Sequence, residues 1–327
     1  MTLISERSAS AAGVTTPAAG TARQVRRRLR RRPGALAAAV VLALLVLVAL
    51  AAPLLAHLAG QDPNAYHDDL VDSARGGVPL GSFGGVSGDH WLGVEPGTGR
   101  DLFTRLAYGA RISLLVAIGA TTLQVLTGLV AGLAAALGSR PVGLVIDWLT
   151  NVMLGLPAIV LGIALTAVVP ADFPRPLLLV LIIGLLGWGQ TARMVRAQAL
   201  ALRGLDFVAA ARLSGSGRLR VARRELLPSL AAPLITFAAI LLPISIVAEA
   251  SLSFLGVGVK PPTPSWGQML SSAQTWFRAD PMYVLLPAGL LFVTTLAFTV
   301  LGDAVRSALD PREESRLRIG SRKERRA

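Results

Sequence analysis

Residues 206–228 read DFVAAARLSGSGRLRVARRELLP, a basic segment with two short helical patterns on either side of the Ser-Gly-Ser-Gly at 214–217. Asp206 is placed to accept the free amides of the first turn, and Gly215 suits the left-handed residue that ends a helix. Pro228 closes the segment before a long apolar run. The second pattern predicts one apolar stripe at i, i+3 and i+7: Leu219, Ala222 and Leu226. We call residues 206–228 the elbow.

The rest of the chain is too apolar for an ordinary soluble domain. Hydrophobic residues make up 53% of its 327 residues, and charged residues 16%. Five apolar runs approach the length that crosses a hydrocarbon core about 30 Å thick: about 35–56, 111–137, 144–169, 230–257 and 283–302. A sixth apolar run, about 177–189, is shorter and ends where Gln190, Arg193 and Arg196 follow. On length alone it could be re-entrant or interfacial.

Basic residues fix the number of crossings. They concentrate in RQVRRRLRRR near the N-terminus, in eight arginines between Arg193 and Arg224, and in SRLRIGSRKERRA at the C-terminus. Six crossings, with the short run at 177–189 as the fourth, put these three segments on one side, which the positive-inside rule makes cytoplasmic. Without that fourth crossing the second and third segments would lie outside. The sequence therefore predicts an all-α integral membrane protein with six transmembrane helices, both termini cytoplasmic, in the plasma membrane.

This topology divides the chain into segments. The N-terminal run could instead be a cleaved signal, but about 22 apolar residues exceed the 7–15 of a signal core and favour a retained helix. The predicted segments are a disordered basic cytoplasmic tail at 1–34, a first transmembrane helix at 35–56, an extracytoplasmic loop at 57–110, a transmembrane core at 111–305 with a cytoplasmic loop at 190–229, and a basic cytoplasmic tail at 306–327.

The elbow resembles the EAA loop of ABC-importer permeases, which begins with glutamate-alanine-alanine, contains a glycine and ends in leucine-proline. Ala209 stands at the position of the family's glutamate. The matching positions are Ala210, Ala211, Gly215, Leu226, Leu227 and Pro228.

Three further segments carry the same resemblance. They are HWLGVEPGTGRDLFTRLAYGARISLLVA at 90–117, AEASLSFLGVGVKPPTPSWGQML at 248–270 and LGDAVRSALDPR at 301–312. Each is similar to part of the C-type subunit of the dipeptide, oligopeptide and nickel permeases. Four motifs in the family's order identify the chain as a member of that family, with its type I ABC-importer permease fold.

The resemblance implies a set of partners and a division of labour. A second homologous permease would pair with this chain, two ABC ATPase subunits would bind ATP and Mg, and an extracytoplasmic binding protein would deliver a peptide, nickel or another small solute. The chain has no G-x-x-x-x-G-K motif, so we expect no ATP hydrolysis, no enzyme activity and no cofactor of its own. Despite the net charge of +13, no basic face with interleaved aromatics suggests nucleic acid, and the lipid membrane is the expected surroundings.

Candidate site residues fall into three groups. In the outer loop, His90, Arg100, Asp101 and Arg105 match the family and predict a docking or gating surface, with a simple tether as the alternative. Glu249 lies within an apolar run and is either a pathway residue or a packing hydrogen-bond partner. The residues expected to couple to the ATPase are Asp206, Ala209, Ala210, Ala211, Gly215, Leu219, Leu226, Leu227 and Pro228.

Other functions remain open on the residues alone. The elbow could be an amphipathic helix on the inner leaflet instead of a segment that enters a partner's groove. An ion-coupled secondary transporter would be expected to show inverted repeats and paired acids in interrupted helices, and the sequence has neither. A membrane enzyme would need a catalytic cluster, which the three histidines do not form, and a non-transport scaffold is disfavoured only by the resemblance.

Overall fold

Helices form most of the described structure. The computed structural model of the chain describes residues 32–170 and 172–309. The tails predicted at 1–34 and 306–327 lie outside the described residues, apart from 32–34, where the first helix begins, and 306–309, where the last one ends. In chain order the helices are α1 (Pro33–Ala59), α2 (Leu102–Leu137), α3 (Arg140–Gly155), α4 (Ala158–Val168), α5 (Arg175–Arg203), α6 (Asp206–Leu213), α7 (Arg218–Val221), α8 (Leu227–Phe254), α9 (Trp266–Ala273) and α10 (Pro281–Leu309).

Five helical segments are long and apolar enough to cross a membrane, or six if one bent pair counts as a span. Four of the five are α1, α2, α5 and α10, and the fifth is the continuous run Arg218–Phe254 that contains α7 and α8. The bent pair is α3 and α4, whose axes meet at 92°. Pro157, the residue that caps α4, lies at this break. A proline disfavours helical geometry in the residue before it, which favours a break between the two helices here. The single straight run predicted at 144–169 is therefore broken in two.

The short run predicted at 177–189 is part of a 29-residue helix, α5, rather than a re-entrant piece. The arginines that seemed to end it are paired with α3. Arg193 Nη2 donates to Asn151 Oδ1 at 2.9 Å, and Arg196 Nη1 lies 2.5 Å from Asp147 Oδ2. Both arginines therefore have a polar partner on α3, and the helix continues to Arg203. The loop predicted at 190–229 accordingly begins only after that residue.

The segment between α1 and α2 is a compact loop with one small sheet. Val71–Asp72 (β1) pairs antiparallel with Val78–Pro79 (β2). The predicted loop boundary at residue 110 is wrong, because α2 begins at Leu102. Asp101 caps this helix, and its Oδ1 accepts a 2.8 Å hydrogen bond from the Thr104 amide. A capping carboxylate satisfies a backbone donor that the helix leaves free.

Helices α2 and α5 approach each other closely along a line of small residues. A Cβ atom on Gly128 would lie 2.4 Å from Thr191 Cβ, and one on Gly132 would lie 2.7 Å from Val195 Cβ. Contacts this short admit only glycine. The small-residue spacing of four is a common means of close helix packing in membranes.

The bundle has two ends that matter for function. The loop end carries residues 60–101 and α9, and the elbow end carries α6 and α7. Side chains buried in the core of the loop end include Leu106, Ile246, Trp266, Met269 and Tyr283. Side chains buried in the core of the elbow end include Val195, Ala199, Val208, Val221 and Leu226.

Candidate functional site

The elbow contains two helices joined by a tight turn. Gly215 adopts φ 79°, the left-handed conformation that the sequence predicted. The amide of Ser216 donates to the carbonyl of Ala211 at 3.0 Å and closes the end of α6. The chain then enters α7 through Gly217. The turn between α6 and α7 therefore takes the four residues 214–217, where the sequence predicted it.

Two predicted boundaries of the elbow are wrong. Leu205, not Asp206, is the residue that caps α6, and Asp206 is the first helical residue with no capping hydrogen bond from its side chain. A carboxylate there still lies at the positive end of the helix. Pro228 does not close the segment, because a wider helical turn at Ala222–Leu226 carries α7 directly into α8. Pro228 is the second residue of α8, directly after this wider turn.

The elbow is anchored on one side and open on the other. Val208, Val221 and Leu226 are at most 1% exposed and pack in the core of the elbow end. Phe207, Leu213 and Leu219 are 41%, 90% and 66% exposed. The predicted apolar stripe is thus split, since Leu219 points outward while Ala222 and Leu226 are buried. Of the other predicted coupling residues, Ala211 is half-buried, and the exposed ones are Asp206, Ala209, Ala210, Gly215, Leu227 and Pro228.

A buried charge cluster ties the loop to the bundle. Glu95 is 1% exposed, and its Oε2 accepts a 2.6 Å hydrogen bond from Arg100 Nε. Arg105 Nε lies 3.2 Å from Glu95 Oε1, which also accepts a hydrogen bond from the Tyr283 hydroxyl. This one carboxylate therefore connects the loop to α2 and α10. Pairing is what permits such charges to be buried.

Arg105 extends the cluster to two further segments. Its Nη1 donates to the carbonyls of Pro63 and Pro262 at 3.0 and 3.2 Å. Its Nη2 lies 3.4 Å from Gln268 Oε1 on α9. His90 Nδ1 meets Asp101 Oδ2 at 3.0 Å beside this cluster.

The four residues predicted to form an outer docking surface are at most 5% exposed: His90, Arg100, Asp101 and Arg105. They are positioned to hold the loop in shape. Sequence reasoning missed Glu95 and Tyr283, although Glu95 stands within the quoted 90–117 stretch between two of the chosen residues. An acid followed by two arginines, Arg100 and Arg105, was the available signal.

Glu249 is fully buried and accepts hydrogen bonds from two hydroxyls. Ser113 Oγ on α2 donates to Oε2, and Ser253 Oγ one turn along α8 donates to Oε1, both at 2.8 Å. Each hydroxyl oxygen in turn accepts a backbone hydrogen bond: Ser113 Oγ from the Trp266 amide at 3.2 Å, and Ser253 Oγ from the Val259 amide at 3.1 Å. The geometry matches the packing alternative for this residue. The network joins α2, α8 and the segment that leads into α9.

The family of the chain follows from its longest match. Residues 124–315 match the family described as the binding-protein-dependent transport system inner membrane component. The chain belongs to this family. Residues 21–72 of this family member also match the N-terminal transmembrane domain of oligopeptide transport permease C. The chain is therefore a multi-pass permease subunit of the bacterial inner membrane, in agreement with the resemblance inferred from sequence.

Named relatives of this family member cover most of its length. It is 31% identical over 293 residues to the dipeptide transport system permease protein DppC of Alkalihalophilus pseudofirmus, with 90% of each chain covered. Identity to the di/tripeptide transport system permease protein DppC of Pseudomonas aeruginosa is 34%, covering 85% of this chain and 88% of that one. Identity to the glutathione transport system permease protein GsiD of Pectobacterium atrosepticum is 33%, covering 90% and 92%.

A solved structure shares the fold. Inward-facing MetNI, a methionine ABC transporter, superposes with a TM-score of 0.51 at 20% identity, covering 63% of this chain and 96% of that chain. The fold of the family member is thus that of an ABC-importer permease.

Proposed function

We propose that this permease carries peptides, or small solutes built like them, as one subunit of an ATP-driven importer. The proposal is supported by relatives named for dipeptides, tripeptides and glutathione that cover most of the chain. A second homologous permease would complete the pathway, and an extracytoplasmic binding protein would deliver the solute. Two partner ATPases would bind ATP and Mg.

The elbow is the proposed point of energy input. The observation that supports this role is the contrast between a buried anchor and an exposed apolar face: Leu213 is 90% exposed, whereas Leu226 is fully buried. An exposed apolar helix face suits a groove on a partner protein. Because the anchor packs directly on α5 and α8, a displacement of the elbow would move both helices. This displacement can drive transport only if the ATPases bind the elbow more tightly in one conformation of the bundle than in the other.

The proposed topology has six crossings with both termini and the elbow in the cytoplasm. In it α3 and α4 together make one broken span. The arginines between Arg193 and Arg224 support this orientation through the positive-inside rule. The loop end would then face the binding protein. Since the four predicted loop residues are buried, docking would fall on exposed neighbours such as Phe83 and Trp91, which are 76% and 50% exposed.

Co-purification tests the coupling proposal. The subunit is expressed with the ATPase genes of its own transport operon, and the amount of ATPase retained on the tagged permease is measured. Replacing Leu213 and Leu219 by serine should release the ATPase. The matched control replaces Leu80 and Phe83, which are exposed at the loop end, and should retain it. Equal retention by both variants would remove the elbow from the coupling role.

A further inference from the structure

A cleft of about 310 Å³ lies between the elbow and the ends of two membrane helices. Three arginines from different elements line it: Arg203 ends α5, Arg212 lies near the end of α6, and Arg218 begins α7. Arg212 and Arg218 lie on either side of the turn that contains Gly215. Ser216 also lines the cleft, and its floor includes Leu137 at the end of α2.

The cleft carries positive charge that nothing in the described structure neutralises. No acidic residue lines it, and no carboxylate of residues 32–170 or 172–309 lies within ion-pair distance of the three guanidinium groups. Arg203 Nη1 donates a 3.0 Å hydrogen bond to the carbonyl oxygen of Ala136, and this bond holds the guanidinium beside the cleft. Each guanidinium offers five N–H donors, so most donors here have no protein acceptor in the described structure.

The geometry points to a phosphate group as the ligand. Several guanidinium groups around one small volume, with a hydroxyl beside them, match the many acceptor oxygens of a phosphate. The lining contains no aromatic side chain on which a nucleobase could stack. A nucleotide is therefore not favoured.

We propose that the cleft binds the phosphate of an anionic phospholipid. Leu137 and Arg203 each end a helix long and apolar enough to cross a membrane, so the proposed topology puts the cleft at the cytoplasmic ends of two spans, toward the headgroup layer. Basic side chains at that depth attract anionic lipid. The bound lipid would brace the elbow against the ends of α2 and α5. This goes beyond the proposed coupling and does not depend on it.

Native mass spectrometry of the full-length chain in detergent tests this inference. The chain is titrated with phosphatidylglycerol, with phosphatidylcholine and with millimolar inorganic phosphate as a competitor. The cleft variant is Arg212→Gln/Arg218→Gln. The matched control is Arg220→Gln/Arg223→Gln, which removes the same charge from exposed positions on the same elbow outside the cleft.

One phosphatidylglycerol should remain bound to the wild type, more tightly than phosphatidylcholine. Its Kd should rise roughly 10-fold or more in the cleft variant and less than about 3-fold in the control. All four arginines are exposed, so both variants should keep the wild-type gel-filtration profile; Arg212→Gln alone, with a rise of about 5-fold, serves if the double variant does not fold.

Other results would overturn the assignment. Equal losses in the two variants, or equal affinity for the two lipids, would reduce the effect to surface charge. Complete displacement by inorganic phosphate would make the ligand a free anion. Loss of a co-purifying ATPase with unchanged lipid affinity would place a partner's carboxylate in the cleft.

Discussion

The Ser113 hydroxyl donates a 2.8 Å hydrogen bond to Glu249, joining two membrane-spanning helices through residues 136 positions apart. Ser113 also accepts the Trp266 amide, so one buried carboxylate organises three segments. A polar group at this depth is expensive unless it is paired, and here it is fully paired. We therefore expect Glu249 to act in helix packing rather than in the pathway.

Glu249→Gln should assemble normally and keep most of its transport activity. The amide retains one acceptor oxygen, and the serine hydroxyls can rotate to accept from its NH₂ group. Glu249→Leu should instead lower the thermal midpoint, because two buried hydroxyls lose their acceptor at a cost of about 1–3 kcal/mol each. Uptake and thermal unfolding are measured together. A well-assembled Gln variant with little uptake would make Glu249 a pathway residue.

Glu95→Gln should destabilise the loop end strongly. It leaves the buried Arg100 and Arg105 without their counter-charge, a loss of about 3–5 kcal/mol for a broken buried pair. Arg75→Gln is the control, since its ion pair with Asp72 is exposed and should be worth at most about 1 kcal/mol. Limited proteolysis of the segment 60–101 reports the difference. Similar cleavage rates in the two variants would contradict the bracing role.

Gly132→Ala should weaken the packing of α2 on α5. The added methyl would lie 2.7 Å from both the Ala192 carbonyl oxygen and Val195 Cβ, an overlap that costs about 1–3 kcal/mol. Gly289→Ala is the matched control in α10, where an added methyl meets nothing within 4 Å. That change should be neutral or stabilise by up to about 1 kcal/mol. The thermal midpoint of each variant is compared with that of the wild type. Equal shifts in the two variants would argue against close packing at Gly132.

Gly215→Val should abolish the stimulation of ATP hydrolysis by substrate while leaving membrane insertion intact. An added Cβ would meet nothing within 4 Å, so the effect comes only from forcing a branched residue to φ 79°. That conformation costs roughly 1–2 kcal/mol and would shift the turn. Gly215→Asn is the control, because asparagine tolerates left-handed geometry. Normal stimulation in the Val variant would separate the turn from coupling.

Asp280→Asn should stabilise the protein at neutral pH. Burial raises the pKa of the Asp280 carboxyl above its usual 3.8, although hydrogen bonds from the Met282 and Tyr283 amides oppose the rise. A carboxyl that binds its proton more tightly when folded adds stability below the unfolded pKa and loses it as pH rises through the folded pKa. The advantage of the Asn variant should therefore shrink as pH falls toward about 3.8.

Thermal midpoints measured across this pH range test the sign. Asp68→Asn, at an exposed position, should change stability little. An Asp280→Asn protein that is less stable at neutral pH would show that the charged form is the favoured one.

Local features of the chain were readable from sequence. Long apolar runs predicted α1 and α10 closely, and the glycine-serine turn at Gly215 was placed correctly because its chemistry is confined to a few residues. Four motifs in order identified the family. These signals depend on neighbours along the chain and need no knowledge of the fold.

The tertiary structure alone decided which polar and apolar side chains are buried together. Glu95 meets Tyr283 across 188 positions, and the pairing of Arg196 with Asp147 let α5 continue where the hydropathy pattern ended. The tertiary structure also divided the predicted apolar stripe of the elbow: Leu226 belongs to the buried anchor, and Leu219 belongs to the exposed face. Burial of a charge or a leucine depends on what folds against it, and periodicity records only which face a residue shares, not what covers that face.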